Sequence, residues 1–282
     1  MPLNADEVGK HFRKLRKSLR KLGRRPTPEE VHDLRTRSRR VEASLQALLL
    51  DNTGKGRKAL KVVDPIRKRA GQVRDMDVLS ELASGLVSQD KCRLRLLEYL
   101  SEQRLKGAAK LHRKTAQKRQ DAERRLKGLS VKFKGNSDGQ GSNAWPAEAA
   151  AVALQLSGQL QRWSTLSAKN IHEFRKLAKQ LRYVLKLSGE SGELIERLGE
   201  VKDAVGLWHD WLELDQIAQK QLRHPGRCAV KQEIRSEQRR KFGQALRDAN
   251  RLRTQYFPAG NKPQRRRKTT RPVLEAAEKL AA

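Results

Sequence analysis

The chain has 282 residues, 63 of them lysine or arginine against 32 aspartate or glutamate, for a formal net charge of +31. That length supports one large core or two small ones, and that charge attracts polyanions without specifying a fold. No apolar run is long enough to cross a bilayer, and the first residues lack the apolar core of a signal peptide, so a cytoplasmic protein with no membrane partner is expected.

In chain order, Val8, Phe12, Leu15, Leu19 and Leu22 recur at offsets 0, 4, 7, 11 and 14, which predicts an amphipathic helix over 6–22. The stretch "GRRPTPEE" breaks it. Thr27 is placed to cap the next helix, Pro28 suits its first turn and Glu30 completes a capping box; that helix runs to about Leu50, where "DNTGKG" ends it. Further helices are predicted over 57–88 and 91–127, with a break near Gly128. "KGNSDGQGSNAWP", 134–146, has the composition of an exposed linker. Helices follow over 147–162, 168–188, 192–221 and 227–256, and no alternation of apolar and polar residues is sustained enough for a strand. The expected class is all-α. The end, "FPAGNKPQRRRKTTRP", has the composition of a disordered tail, with a marginal helix in "VLEAAEKLAA".

An internal repeat organises these elements. "VHDLRTRSRRVEASLQALL" from 31 matches "IHEFRKLAKQLRYVLKLSG" from 171 at an offset of 140. "AGQVRDMDVL" from 70 matches "LGEVKDAVGL" from 198, and "SEQRLK" at 101 matches "SEQRRK" at 236. Three blocks in one order point to two copies of a helical unit. Thr27 and Ser167 each precede their histidine by five residues, so the caps keep step as well.

On a helical wheel the second copy turns Ile171, Phe174, Leu177, Ala178, Leu181 and Leu185 to one face. His172, Arg175, Lys179, Arg182 and Lys186 form a stripe on another, with Lys176 and Tyr183 beside it. The first copy repeats the pattern. Val31, Leu34, Val41, Leu45 and Leu48 form its core face, and His32, Arg35 and Arg39 its stripe, with Arg37 and Arg40 further round. Glu42 stands where Arg182 stands in the second copy, so it either pairs with a neighbouring arginine or leaves this copy one cation short. Like charges at this spacing repel, and solvated faces usually interleave signs; a bound polyanion would neutralise the stripe. In the second block Arg74 sits beside Asp75 and Asp77, and Lys202 beside Asp203, where an aspartate can orient a basic side chain. In the third, Arg104 and Lys106 correspond to Arg239 and Lys241, weaker candidates on helices that are basic all round.

The marks "HDLRTRSRR" from 32, "RDMDV" from 74, "HEFRKLAKQLRY" from 172 and "LGEVKDA" from 198 resemble the CHAD family, named for conserved histidines in an alpha-helical domain, over roughly 6–257. The resemblance implies two four-helix bundles related by a pseudo-two-fold axis: a first over 1–134, a linker over 135–146, a second over 147–258, and a tail over 259–282 outside the family pattern. It also implies a basic groove between the bundles that binds inorganic polyphosphate, and so association with polyphosphate granules. Carried over by position, His32, Arg35, Arg39, Arg40 and Arg74 line one side, and His172, Arg175, Lys176, Lys179, Arg182 and Lys202 the other. Gln180 in place of Arg40, like Glu42, departs from symmetry.

Nucleic-acid binding is the alternative, because polycations bind RNA and DNA too. Only 4% of residues are aromatic, few for stacking platforms; Tyr183 alone lies by the stripe, and Trp208 and Trp211 read as interface filling. No helix-turn-helix, RNA-recognition or zinc-finger pattern occurs. Nothing calls for an enzyme or a cofactor. Glu29 and His32 have the spacing of a di-iron motif, but Lys169 precedes His172 in the other copy, and "GKGRKA" at 54–59 lacks Walker spacing. No ExExK motif of a triphosphate-processing partner domain is present. Cys92 and Cys228, 136 positions apart, are no disulfide framework and read as two buried thiols in a reducing compartment.

Overall fold

The computed structural model describes residues 5–47, 53–135, 144–187, 192–223 and 228–258. Among them are eight helices and no strand, as expected: α1 Ala5–Lys21, α2 Pro28–Ala47, α3 Gly54–Ser84, α4 Lys91–Gly135, α5 Ala144–Gln161, α6 Ile171–Leu187, α7 Glu193–Gln221 and α8 Ala229–Tyr256. The boundaries follow local chemistry. The backbone N–H of Thr27 donates to Glu30 Oε2 at 2.9 Å, and that of Glu30 to Thr27 Oγ1 at 3.2 Å, the reciprocal capping box predicted for α2. Ser167 works with Asn170 ahead of α6: its N–H donates to Asn170 Oδ1 at 2.7 Å, and its Oγ accepts from the N–H of Lys169 at 3.3 Å.

Three boundaries differ from expectation. α3 starts at Gly54 because Thr53 caps it, its Oγ1 accepting from Gly56 N at 3.2 Å. It ends at Ser84, not 88, where the N–H of Gly85 folds back on Glu81 O and Leu82 O. The predicted break near Gly128 is absent and α4 runs on to Gly135. An interior glycine weakens a helix by about 1 kcal/mol, but Leu126 and Leu129 on either side are both buried, and their packing outweighs it. Within the predicted linker 135–146, Gly135 ends α4 and α5 begins at Ala144; residues 136–143 lie outside the described residues, as do Leu48, the tail 259–282 and its terminal helix.

The chain divides into two compact units: one comprises 5–135 with 209–239, and the other the described residues of 136–208 and 240–282. In the first, α3 packs along α4, α1 against α2 and α4, and α2 against α3. The apolar spacing of α1 is fully used, with Val8, Phe12, Leu15 and Leu19 at 1% exposure or less. Arg20 ties α1 to α4 by donating from Nε and Nη2 to Glu123 Oε2 at 2.9 and 2.7 Å. In the second unit α5 packs on α6, Phe174 and Phe257 are fully buried, and Trp208 meets Phe242 with ring centroids 5.0 Å apart. Positions matched at the offset of 140 are buried in pairs: Val31 and Ile171, Leu34 and Phe174, Ser38 and Ala178, Val41 and Leu181, Leu45 and Leu185. Periodicity did not reveal that Ser38 and Ser44 belong to the α2 core face. Ser38 donates to Leu34 O at 2.7 Å, and Ser44 Oγ lies 2.9 Å from His11 Nδ1, so neither hydroxyl is buried unsatisfied.

Thr27→Ala removes one half of the α2 capping box. It should lower stability by about 1 kcal/mol, seen as a fall in Tm of about 2–4 °C by circular dichroism, with helical content at 20 °C unchanged.

Candidate functional site

The α2 stripe and the α6 stripe belong to different compact units. On α2, His32 is exposed with Nε2 3.4 Å from the Thr36 hydroxyl. One turn on, Arg35 is half-buried and donates from Nη2 to Asp75 Oδ1 of α3 at 3.5 Å; its Nε lies 3.6 Å from where a side chain on Gly71 would begin. Arg39 acts on the same carboxylate, while Arg40 is exposed. Arg74, next to Asp75 on α3, is half-buried. Of the two readings open for Glu42, a neighbouring arginine is found: Arg67 Nε stands 3.5 Å from its Oε2 and is bonded to Asp64 as well.

On α6 the arginines are held differently. Arg175 donates from Nε to Lys202 O at 2.9 Å, and its Nη2 lies 2.9 Å from the place a Cβ on Gly206 would take. Arg182 donates from Nε to Ile195 O at 3.2 Å, with that nitrogen 3.0 Å from the Cβ position of Gly199. Gly199 and Gly206 are two turns apart on α7, so two arginines of α6 lie flat over two glycines and bond to backbone carbonyls. A side chain at Gly206 would push the Arg175 guanidinium aside, and one at Gly199 would crowd that of Arg182. His172 is half-buried, Lys176 pairs with Glu173 at 2.8 Å, Lys202 pairs with Asp203 at 2.6 Å, and Lys179 Nζ stands 5.7 Å from the Tyr183 ring centroid, within cation–π range.

The four weaker candidates fare unequally. Arg104 is turned inward. It donates from Nε to buried Asp77 at 2.5 Å and from Nη2 to Pro26 O at 2.9 Å, tying α4 to α3 and to the turn before α2. Lys106 pairs with Glu102 at 2.9 Å at the surface, Arg239 is exposed and Lys241 half-buried.

Three features were not foreseen. The first is the pair of glycine cradles; a seven-residue spacing of glycines inside a helix was the available signal. The second is a cleft of about 540 Å³ in the α1–α4 unit, lined by Arg69, Lys110, Arg113, Lys114 and Gln117, four cations from two helices. The third is an acidic group facing the α2 stripe. Burial pushes the Asp75 carboxyl above its usual range against the pull of Arg35 and Arg39, and Asp210 adds to the rise. Burial likewise raises Glu213, with Asp75 and Asp210 adding and His209 opposing. These groups come from α3 and α7, and nothing local in either segment announces the encounter.

Comparison with known proteins bears on this arrangement. A family model described as CHAD domain matches residues 7–219. The solved structure of PptA from Streptomyces chartreusis is similar in fold, with a TM-score of 0.58 at 16% identity, covering 89% of this chain and 97% of that one. Among curated proteins none matches.

The raised Glu213 carboxyl gives a signed pH dependence. A carboxyl held above its unfolded value stabilises the fold fully only below the ordinary glutamate pKa near 4.3, and that contribution is lost as pH rises through the raised value. Glu213→Gln should therefore be more stable than the parent at pH 7, with Tm higher by about 2 °C, and the gap should close as pH falls toward 4. Thermal melts across that range check it; a lower Tm at pH 7 would contradict the assignment.

Proposed function

The chain belongs to the CHAD-domain family, and from that premise we propose that it binds inorganic polyphosphate, without cleaving it, through the cationic stripes of α2 and α6. The observation that carries this reading is that arginines of each stripe are held by partners in their own unit. Arg35 is held by Asp75, Arg175 by the Lys202 carbonyl, and Arg182 by the Ile195 carbonyl. An arginine anchored through Nε has its guanidinium plane fixed, and the terminal nitrogens of such a group can bond phosphate oxygens in pairs. Fixing them in advance removes part of the ordering entropy that a flexible surface arginine loses on binding. A polyphosphate chain suits such a row because it offers anionic oxygens at every residue with no base to read and no sequence to match.

In this reading His32, Arg35, Arg39, Arg40 and Arg74 contact the ligand from the α1–α4 unit, and His172, Arg175, Lys176, Lys179, Arg182 and Lys202 from the other. Lys106, Arg239 and Lys241 add to the attracting field, while Arg104 maintains the scaffold through Asp77 and Pro26. The working place of such a protein is with its ligand, at polyphosphate granules.

Titration calorimetry with polyphosphate at two salt concentrations tests the proposal, with an RNA of equal charge concentration as competitor and released phosphate followed in parallel. Binding should weaken steeply with salt through counterion release, RNA should compete poorly, and no phosphate should appear. Arg35→Ala with Arg175→Ala should weaken binding by about 30-fold or more, since each loses a charge-assisted bond, and lower the salt slope by about 2. Replacing the tail pair Arg265 and Arg266 should do far less, and equal losses would mean diffuse attraction. Gly206→Ala should preserve the fold, alanine being the better helix former by about 1 kcal/mol, yet weaken binding several-fold by lifting Arg175.

A further inference from the structure

The connection between α3 and α4 meets the start of α8 at a tightly built corner. Glu233 of α8 accepts from the N–H of Val87 at 2.7 Å and of Ser88 at 3.0 Å. Asp90 caps α4, its Oδ1 accepting from Arg93 N at 3.1 Å, and Arg93 Nη1 donates to Leu86 O at 2.9 Å. Into this corner come Cys92, the second residue of α4, and Cys228, immediately before α8. Their Sγ atoms and a carboxylate oxygen of Asp90 lie within 4.8 Å of one another, although the cysteines are 136 positions apart. Both belong to the same compact unit; Cys228 is buried, and Cys92 is half-buried rather than fully buried as the sequence suggested.

We propose that Cys92 and Cys228 form a dithiol site that closes to an intrachain disulfide when offered a small-molecule disulfide such as oxidised glutathione, joining the start of α4 to the start of α8. Accessibility sets the order of events. The Cys92 thiolate attacks one sulfur of the oxidant; that S–S bond breaks and one glutathione leaves as its thiol. The Cys228 thiolate then attacks Cys92 Sγ in the mixed disulfide, and the second glutathione leaves. Two protein thiols are oxidised, one small disulfide is reduced to two thiols, and the two protein protons are carried by the leaving groups. Burial and the adjacent Cys228 push the Cys92 thiol up to about 11, so thiolate is scarce at neutral pH and closure is slow. A pair whose reduced form is not favoured as thiolate keeps its disulfide once formed. The clasps on both sides make the pairing intramolecular and pre-aligned.

A soft divalent cation is the competing occupant. It is disfavoured because Asp90 already caps α4, Lys231 places positive charge by Cys92, and three donors leave a tetrahedral shell incomplete.

Incubation of the full chain with oxidised glutathione, read by intact mass, tests the proposal. The parent should lose two hydrogens and keep no adduct, with a rate rising about tenfold per pH unit below the thiol pKa. Cys228→Ser should stop with one glutathione attached, and Cys92→Ser should stay unmodified under native conditions. Cys228→Ala replaces the buried serine if circular dichroism shows that variant misfolded. A parent that accumulates adducts without closing, adducts on Cys228 alone, or stoichiometric zinc retained by the parent and lost in both variants would each overturn it.

Discussion

Like charges stacked along one face of a helix repel, and the fold around α2 and α6 is organised by how that repulsion is accommodated. Acids along the row do little to relieve it: α2 carries only Glu42 there, and α6 none. Both instead hold particular arginines against α3 or α7, so that each guanidinium has a partner on one side while the row keeps its positive field. A row left to wave in solvent would lower its repulsion by spreading, and would then present no defined surface to an anion.

The two stripes use different partners for that purpose. In the α1–α4 unit the partner is a carboxylate: Arg35 meets Asp75, whose proton affinity is raised by burial, with Asp210 adding to the rise. In the other unit the partners are carbonyls of α7, reached because Gly199 and Gly206 let Arg182 and Arg175 lie against the helix. A carboxylate neutralises the arginine it holds and competes with an incoming anion; a carbonyl orients it without cancelling its charge. The carbonyl contacts of Arg175 and Arg182 thus leave their charge uncancelled, whereas Asp75 offsets that of Arg35. Glu42, paired with Arg67, widens the difference, since the first stripe carries an acid where the second carries Arg182.

The same contrast separates scaffold from surface among the remaining cations. Arg104 and Asp77 form a shielded pair with the Pro26 carbonyl as third member, an arrangement in which losing either charge leaves the other stranded. Arg20 and Glu123 tie α1 to α4 nearer solvent, where such pairs contribute less. An arginine that holds helices together, such as Arg104, is set apart from an exposed one, such as Arg40, by the buried carboxylate it meets.

Much of this architecture was legible in the sequence. The eight helices, the core faces of α1, α2 and α6, and the capping box at Thr27 are encoded within a few residues of themselves, because the 3.6-residue turn and the unsatisfied N–H groups at a helix start are local constraints. The positions of the stripes follow from the same periodicity. What the tertiary structure alone decided is which partner each long side chain meets: Asp75 for Arg35, Arg67 for Glu42, the α7 carbonyls and glycine cradles for Arg175 and Arg182, Asp77 for Arg104, and Cys228 for Cys92. The continuity of α4 through Gly128 belongs to that group, being settled by Leu126 and Leu129 against the core. Periodicity places a residue on a face of its own helix, but the residue opposite is fixed by how helices far apart in the chain pack, and a flexible arginine can reach several of them.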